Sequence, residues 1–182
     1  MLVLVVGPSG AGKDTLLAAA RETLPPGRFR FVRREITRPA EAGGEDHIAV
    51  DFPTFAARRD AGAYALSWEA HGLGYGIPAD IAADLAAGQV VVANVSRAAI
   101  AAAVLRFPVT VLEITASPDI LAVRLAARGR ETAADIAARL ARSVAIPHGI
   151  PVVRIINDGA LEHGAAAVAA ALTRAAESAR PA

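Results

Sequence analysis

Short apolar runs alternate with alanine-rich amphipathic stretches along most of this chain. Runs of about five residues with few polar positions are typical of strands buried on both faces of a parallel sheet. The sequence predicts such strands at Leu2–Val6, Phe29–Ile36, Gln89–Ala93, Val109–Ile114 and Val152–Ile156. The intervening stretches predict helices near Thr15–Leu24, Ala79–Ala87, Arg97–Arg106, Ser117–Arg128, Thr132–Ala145 and Leu161–Ser178. This alternation predicts an α/β fold, a three-layer sandwich with a parallel central sheet between helices.

The segment 37–78 interrupts the alternation. It is rich in glycine, acidic and aromatic residues, and it contains the only tryptophan and both tyrosines. We predict that it forms a small inserted subdomain of short strands with a helix near Phe52–Arg59. The chain is then one domain of 182 residues whose core is formed by 1–36 and 79–182.

The first apolar run is followed by a glycine-rich loop, GPSGAGKD, which matches the pattern G-x-x-x-x-G-K. Lys13 in this loop is the only lysine, and the other basic residues are all arginine. A lysine ammonium on its thin stem can reach the β- and γ-phosphates through a ring of backbone amides, whereas the planar guanidinium of arginine is broader. The strand, loop and helix predict an ATP-binding site formed by Gly7, Pro8, Ser9, Gly10, Ala11, Gly12 and Lys13.

The residue after Lys13 departs from the usual pattern. A Ser or Thr that binds Mg²⁺ is common there, but this chain has Asp14 followed by Thr15. One hypothesis is that Asp14 contacts Mg²⁺ directly or through water, since a carboxylate beside phosphates needs a cation between them. The other is that Asp14 caps the helix N-terminus while Thr15 binds the metal.

Composition restricts the other classes of partner. Hydrophobic residues make up 54% of the chain, but no apolar stretch reaches the roughly 18 residues that span a bilayer. The apolar N-terminus lacks a basic start, which is not typical of a signal peptide. The net charge is +1 and cysteine is absent. We therefore expect a cytoplasmic protein, a monomer or homodimer, that binds small molecules rather than nucleic acid or membrane.

With these motifs placed, the chain resembles the guanylate-kinase-like phosphotransferases over nearly its whole length. The similar motifs are the GPSGAGK loop, Thr37-Arg38-Pro39 with Gly43 and Glu45, the turn His71–Gly76, Arg124–Glu131 followed by Arg139-Leu140, and Asn157-Asp158. In such enzymes the acceptor is itself an anionic phosphate. The resemblance implies that Lys13 holds the donor phosphates and Arg38 clamps the acceptor phosphate.

Within that superfamily the chain most resembles the ribose 1,5-bisphosphate phosphokinases of phosphonate degradation. The stretches that carry this resemblance are GPSGAGKDTLL from Gly7, ITRPAEAGGEDHIA from Ile36, ALSWEAHGLGYGIP from Ala65, NVSR from Asn94 and RGRE from Arg128. It implies transfer of the γ-phosphoryl group of ATP to the 1-phosphate of ribose 1,5-bisphosphate, which gives 5-phospho-α-D-ribose 1-diphosphate.

Some positions differ from guanylate kinase. The Glu and the Ser or Thr that read guanine in that family align with Leu66 and Ile77, which cannot hydrogen-bond a base. The second phosphate-binding arginine of the family aligns with Glu41. A small hydroxyl residue of the family aligns with Arg34, which we expect to hold the other acceptor phosphate. We also assign Glu45, Tyr75 and Asn94 to the acceptor site.

Four arginines are spaced to form a cationic lid near 124–142. Arg124 and Arg128 share one helix face, and Arg139 and Arg142 share a face of the next predicted helix. We expect Arg128 and Arg139 to contact the transferred phosphate and Arg124 to help hold the nucleotide. Closure of such a lid would exclude water, which otherwise competes as the acceptor.

Two other readings of the sequence stay open. One is a guanylate or other nucleoside monophosphate kinase. The other is a non-catalytic guanylate-kinase-like module that binds a protein partner, although such a module has no need of Lys13 or of the lid arginines.

Overall fold

The structure is a computed structural model, and it describes residues 1–42, 45–127 and 145–179. Its central sheet has five parallel strands in the order β2-β7-β1-β8-β9. These strands are β1 (Leu2–Val6), β2 (Phe29–Phe31), β7 (Val90–Asn94), β8 (Val109–Thr115) and β9 (Val152–Ile156). Strand β1 is the middle strand and every residue of it is buried, as its unbroken apolar run predicts.

Helices cover both faces of this sheet. They are α1 (Lys13–Thr23), α3 (Ile81–Ala86), α4 (Ile100–Val104), α5 (Pro118–Ala126) and α6 (Leu161–Ser178). One face packs against α1 and α6, where buried alanines of α6 lie close to the sheet. The opposite face packs against α3, α4 and the small sheet described below. The predicted fold class, an α/β sandwich with a parallel central sheet, is confirmed.

A second, smaller sheet has the strand order β4-β3-β6-β5. Three of its strands lie within the predicted insertion 37–78, whereas the strand Glu35–Ile36 comes just before it. Its strands are β3 (Glu35–Ile36), β4 (Ile48–Ala49), β5 (Tyr64–Ala70) and β6 (Leu73–Pro78), and helix α2 (Phe52–Asp60) lies between β4 and β5. Asp51 caps α2 by accepting a hydrogen bond from the backbone N–H of Thr54 at 2.8 Å. Two glycines of β6 leave room for the rings of Phe55 and Tyr64.

The predicted strand Phe29–Ile36 is wrong as a single strand. Residues 29–31 pair with β7 in the central sheet, whereas residues 35–36 pair with β4 and β6 in the small sheet. The chain changes sheets between these segments, at the two arginines Arg33 and Arg34. Apolar periodicity cannot detect this change, because both halves of the run are extended.

Two helices begin differently from the expectation. The helix predicted at Arg97–Arg106 starts as a 3₁₀ turn, Arg97–Ala99, and continues as α4. Ser117 is the N-cap residue of α5 as predicted, but its side chain makes no capping hydrogen bond. The predicted helix near Thr132–Ala145 lies outside the described residues, apart from its last position. In the described part of the chain, no helix has both the length and the apolar character needed to cross a bilayer.

Candidate active site

The glycine-rich loop connects β1 to α1 at the carboxyl edge of the central sheet. Gly7, Gly10 and Gly12 have positive φ angles of 148°, 85° and 83°, which side chains other than glycine rarely adopt. A Cβ atom on Gly7 would lie 1.8 Å from the carbonyl oxygen of Ile114, and one on Gly12 would lie 2.6 Å from Nδ2 of Asn157. The loop can therefore take this shape only with glycine at these positions.

Lys13 is the first residue of α1, and its side chain folds back over the loop. Its Nζ atom donates hydrogen bonds to the carbonyl oxygens of Gly7 at 2.9 Å and Pro8 at 3.1 Å. The ammonium group is thus held beside the loop backbone, next to the positive end of the α1 dipole. This arrangement concentrates positive potential where an anion would bind.

Asn157 and Asp158 directly follow β9 and hold the neighbouring loops by hydrogen bonds. Nδ2 of buried Asn157 donates to the carbonyl oxygen of Ala11 at 2.8 Å. Asp158 accepts a hydrogen bond from the backbone N–H of Ser117 at 2.7 Å, which fixes the start of α5. The two residues therefore tie the loop and α5 to the edge strand of the sheet.

Asp14 faces the end of β7 rather than the helix N-terminus. Its Oδ1 atom accepts a hydrogen bond of 2.9 Å from Nδ2 of Asn94, which pairs with Val5 across the sheet. Asp14 and Thr15 are both exposed on the first turn of α1. Their carboxylate and hydroxyl oxygens are the ligands that Mg²⁺ prefers.

The donor set fits Mg²⁺ bound together with a nucleotide. Within the described residues, no group of three or more His, Asp or Glu side chains is placed to hold a metal ion alone. Mg²⁺ in nucleotide sites is usually held by one or two protein oxygens, substrate phosphates and water. A single carboxylate beside a phosphate-binding loop matches that pattern.

A pocket of about 330 Å³ opens beside Asp14, between α1 and the small sheet. Asp14 and Asn94 line it from α1 and the end of β7, and Arg33, Arg34 and Glu45 line it from the chain on either side of β3. Asp14, which directly follows the phosphate loop, therefore shares one pocket with Arg34 and Glu45. Its walls carry charges of both signs, which suits a phosphorylated and hydroxylated molecule better than an apolar one.

Arg34 is held rigidly in the wall of this pocket. Its Nε donates to Oε1 of Glu45 at 3.0 Å, and its Nη2 donates to Oε2 of the same carboxylate. The guanidinium also lies over the rings of Tyr75 and Trp68, at 5.2 and 5.9 Å from their centroids. Those rings stack on each other 5.3 Å apart and nearly parallel. A cation in this position has lost most of its rotamer freedom before any ligand binds.

Arg38 belongs to the Thr37-Arg38-Pro39 motif, and only part of its hydrogen-bonding capacity is used. Its Nη2 is 3.4 Å from Nδ1 of His47, but its buried Nε has no hydrogen-bond partner among the described residues. His47 is itself buried, and its ring nitrogens are 3.1 Å from the carbonyl oxygens of Arg38 and Glu45. Histidine thus fixes the backbone of this segment, and the guanidinium keeps a free donor. Arg124 on α5 likewise has a buried Nη1 without a partner in the described part of the chain.

An ion cluster around the buried side chain of Glu113, which the sequence did not predict, joins strands of the central sheet. Glu113 accepts hydrogen bonds of 2.6 Å from Arg97 and 2.6 Å from Arg154. Burial alone would raise the pKa of Glu113, but the two guanidinium groups together lower it below its ordinary value. The available signal was a single acidic residue inside the apolar strand VTVLEIT.

Comparison with known proteins identifies the family. The chain is 47% identical over 184 residues to the ribose 1,5-bisphosphate phosphokinase PhnN of Agrobacterium fabrum, covering 99% of this chain and 100% of that protein. It is also 49% identical over 175 residues to a bifunctional ribose 1,5-bisphosphokinase-thymidine phosphorylase of Azorhizobium caulinodans, where it spans only 25% of the longer protein. This chain belongs to the ribose 1,5-bisphosphate phosphokinase PhnN family.

Other comparisons bear on the fold of this PhnN-family chain. The crystal structure of guanylate kinase from Anaplasma phagocytophilum matches it with a TM-score of 0.69 at 19% identity, covering 96% of this chain and 85% of that one. This likeness shows the fold alone. No protein-family model matches the chain.

The PhnN-family chain brings many of the residues expected at its site to one cleft. The loop residues 7–13, Asp14, Thr15 and Asn94 lie at the carboxyl edge of the central sheet. Arg34 and Glu45 line the pocket together with Asp14 and Asn94, and Tyr75 contacts Arg34. Glu45, which the sequence assigns to the acceptor site, lines this pocket and pairs with Arg34. Gly43, Arg128, Arg139 and Arg142 lie outside the described residues.

Proposed function

We propose that this chain transfers the γ-phosphoryl group of ATP to the 1-phosphate of ribose 1,5-bisphosphate. The products are 5-phospho-α-D-ribose 1-diphosphate and ADP. The family relationship supports the acceptor, and the phosphate loop supports ATP as the donor. We place this reaction in phosphonate catabolism.

The reaction needs little covalent chemistry from the protein. An oxygen of the acceptor 1-phosphate forms a bond to the γ-phosphorus, and the bond between that phosphorus and the β-bridging oxygen breaks. The attacking oxygen is already anionic, so no general base is required. The protein therefore has to position two polyanions and offset their mutual repulsion.

Arg34 is the observation that carries the choice of acceptor. It places a fixed cation in the wall of the pocket that Asp14 also lines. A bidentate guanidinium suits a phosphate group, and rigid support from Glu45 and Tyr75 reduces the entropy lost on binding. We propose that Arg34 binds the 5-phosphate and that Arg38 binds the 1-phosphate.

Leu66 and Ile77 argue against a purine acceptor. They face each other across β5 and β6, and both are buried in the hydrophobic cluster on one face of the central sheet. Neither can offer a hydrogen bond to a base edge, and polar base recognition gives large discrimination between substrates. Ribose hydroxyls need fewer such contacts, for which Asn94 and Tyr75 are the proposed partners.

The phosphate loop and the lid arginines are the proposed contacts of the ATP phosphates. Lys13 and the loop amides hold the β- and γ-phosphates, and Asp14 or Thr15 binds Mg²⁺, which supplies positive charge to the phosphates when bound. Arg124, Arg128 and Arg139 would neutralise the transferred group and exclude water as a lid over 124–142.

³¹P NMR tests the function directly. Incubation of the protein with Mg-ATP and ribose 1,5-bisphosphate should produce ADP and a new diphosphate on C1 of the sugar, and GMP in parallel should give little GDP. Robust transfer to GMP with none to the sugar would replace the proposal by a guanylate kinase. Absence of transfer to any acceptor, with no thermal shift on adding Mg-ATP, would favour the non-catalytic module.

A further inference from the structure

The hydrogen bond between Asp14 and Asn94 joins two parts of the chain that are 80 residues apart. Asp14 belongs to the phosphate loop and α1, whereas Asn94 ends β7, the strand beside β1. In P-loop enzymes Mg²⁺ is commonly held by a Ser or Thr after the loop lysine and by an Asp that follows a strand of the sheet. Here the residue after the lysine is the carboxylate and the strand carries the amide.

We propose that Asn94 is a positioning residue for Asp14, and that the pair is a P-loop metal site whose carboxylate has moved from the strand to the loop. The inference rests on the nucleotide-binding half of the proposed function and is independent of the sugar acceptor.

Charge explains why only one member of the pair is acidic. At the observed 2.9 Å, two carboxylates would repel each other, and one of them would resist ionisation. An amide at position 94 instead donates an N–H to Asp14, fixes the orientation of that carboxylate and leaves its second oxygen free. Asn94 is half-buried at the end of a sheet strand, so its side chain is a firmer support than an exposed loop residue.

The stability gained from this contact is small, which points to orientation as its purpose. Asp14 is exposed, and a hydrogen bond at such a position competes with water. Removing a side chain that hydrogen-bonds a metal ligand nevertheless lowers metal affinity strongly, because that side chain holds the ligand in its binding rotamer. Asn94 also keeps one N–H and its Oδ1 for a ligand in the adjoining pocket, so a role toward ribose hydroxyls is compatible with this one.

The test measures metal affinity separately from nucleotide affinity. Calorimetry with EDTA gives the affinity for metal-free ADP, and electron paramagnetic resonance titration gives the affinity of the protein–ADP complex for Mn²⁺. Asn94→Ala should lower the Mn²⁺ affinity about 10-fold or more and change the metal-free ADP affinity by less than about threefold. Asp14→Ser should lower the Mn²⁺ affinity by at least as much.

A double variant that exchanges the roles of the two residues gives the more specific test. Asp14→Ser/Asn94→Asp returns one carboxylate to the strand and a hydroxyl to the loop, so it should regain about 10-fold or more of the Mn²⁺ affinity lost in Asp14→Ser. Asp60→Ser, an exposed acid in the small subdomain, is the matched control and should leave both affinities unchanged.

Two results would overturn the proposal. One is an Asn94→Ala variant that binds Mn²⁺ as the unaltered protein does and changes only the KM for the acceptor. The other is a double variant that binds Mn²⁺ no better than Asp14→Ser. If the unaltered protein failed to bind ADP at all, the proposed function itself would fail, and that outcome is read from the EDTA titration alone.

Discussion

Lysine and arginine occupy different kinds of position in this protein because their charged groups differ in shape. Lys13 contacts two loop carbonyl oxygens with a compact ammonium group, whereas Arg34 spreads a planar guanidinium between a carboxylate and two stacked rings. Each geometry would be lost if the two residue types were exchanged. Substitutions that keep the charge therefore test the shape.

The first residue-scale prediction concerns Lys13. Lys13→Arg keeps the positive charge but cannot fit the narrow space over the loop, so we expect kcat to fall about 10²- to 10³-fold. Steady-state kinetics with Mg-ATP measure this change. Arg59→Lys, an exposed exchange in the small subdomain, should leave kcat unaltered. A Lys13→Arg variant with near-normal kcat would show that charge alone is sufficient at this position.

The second residue-scale prediction concerns Arg34. Arg34→Lys loses the bidentate contact with Glu45 and the stacking on Tyr75, so the KM for ribose 1,5-bisphosphate should rise about 10-fold or more. The affinity for ATP should stay the same, since the proposed role of Arg34 is to bind the acceptor. Initial rates over a range of acceptor concentrations and a separate nucleotide titration give both values. Equal losses for donor and acceptor would contradict the assignment.

At the scale of elements, the phosphate loop depends on strand β9, which contributes Asn157 from its end. The amide of Asn157 fills the space that a side chain at position 12 would need. The loop shape is thus set jointly by its own glycines and by a residue 146 positions away. The effect of Asn157 on the loop can be distinguished from backbone strain, because Gly88 has a similar positive φ angle but no neighbour where its Cβ would lie.

Gly12→Ala and Gly88→Ala form a matched pair for that purpose. Both glycines have positive φ angles, 83° and 77°, but only Gly12 has a neighbour where its Cβ would lie. Each substitution should cost about 1 kcal/mol of backbone strain in urea unfolding. Only Gly12→Ala should also displace Asn157 and weaken ATP binding, by about 10-fold or more. Equal nucleotide affinity in the two variants would refute the bracing role of Asn157.

At the scale of the whole molecule, the ion cluster around Glu113 connects three parts of the central sheet. Glu113 is in β8, Arg154 is in β9 and Arg97 follows β7. The low pKa of Glu113 means that folding favours its ionised form. The contribution of the cluster to stability is therefore full above the unfolded pKa near 4.5 and is lost as the pH falls through the lower folded pKa.

We expect Glu113→Gln to unfold more easily than the unaltered protein at pH 7, by about 2 kcal/mol. The difference should shrink as the pH falls below about 4.5, because the unaltered protein then loses the same charge. Urea unfolding at a series of pH values measures it. Glu69→Gln, at an exposed position, should show no such convergence. A constant difference across the acid range would mean that Glu113 does not stabilise the fold through its charge.

Local sequence determined the elements and the phosphate loop of this protein. The apolar runs placed β1 and β9 at their observed bounds, and Lys13 with its glycines marked the loop, because period and backbone freedom are encoded within a few residues. The strand predicted at Gln89–Ala93 is observed at Val90–Asn94, so that Asn94 ends the strand and pairs with Val5.

Only the tertiary structure decided which side chains meet. The change of sheet after Phe31, the pairing of Arg34 with Glu45, the contact of Asn94 with Asp14 and the burial of Glu113 between two arginines all join distant positions. Such contacts depend on strand order and on the path between sheets, and neither has a periodic signature in the sequence. The sequence thus determined the kind of chemistry, and the fold decided which charged groups surround it.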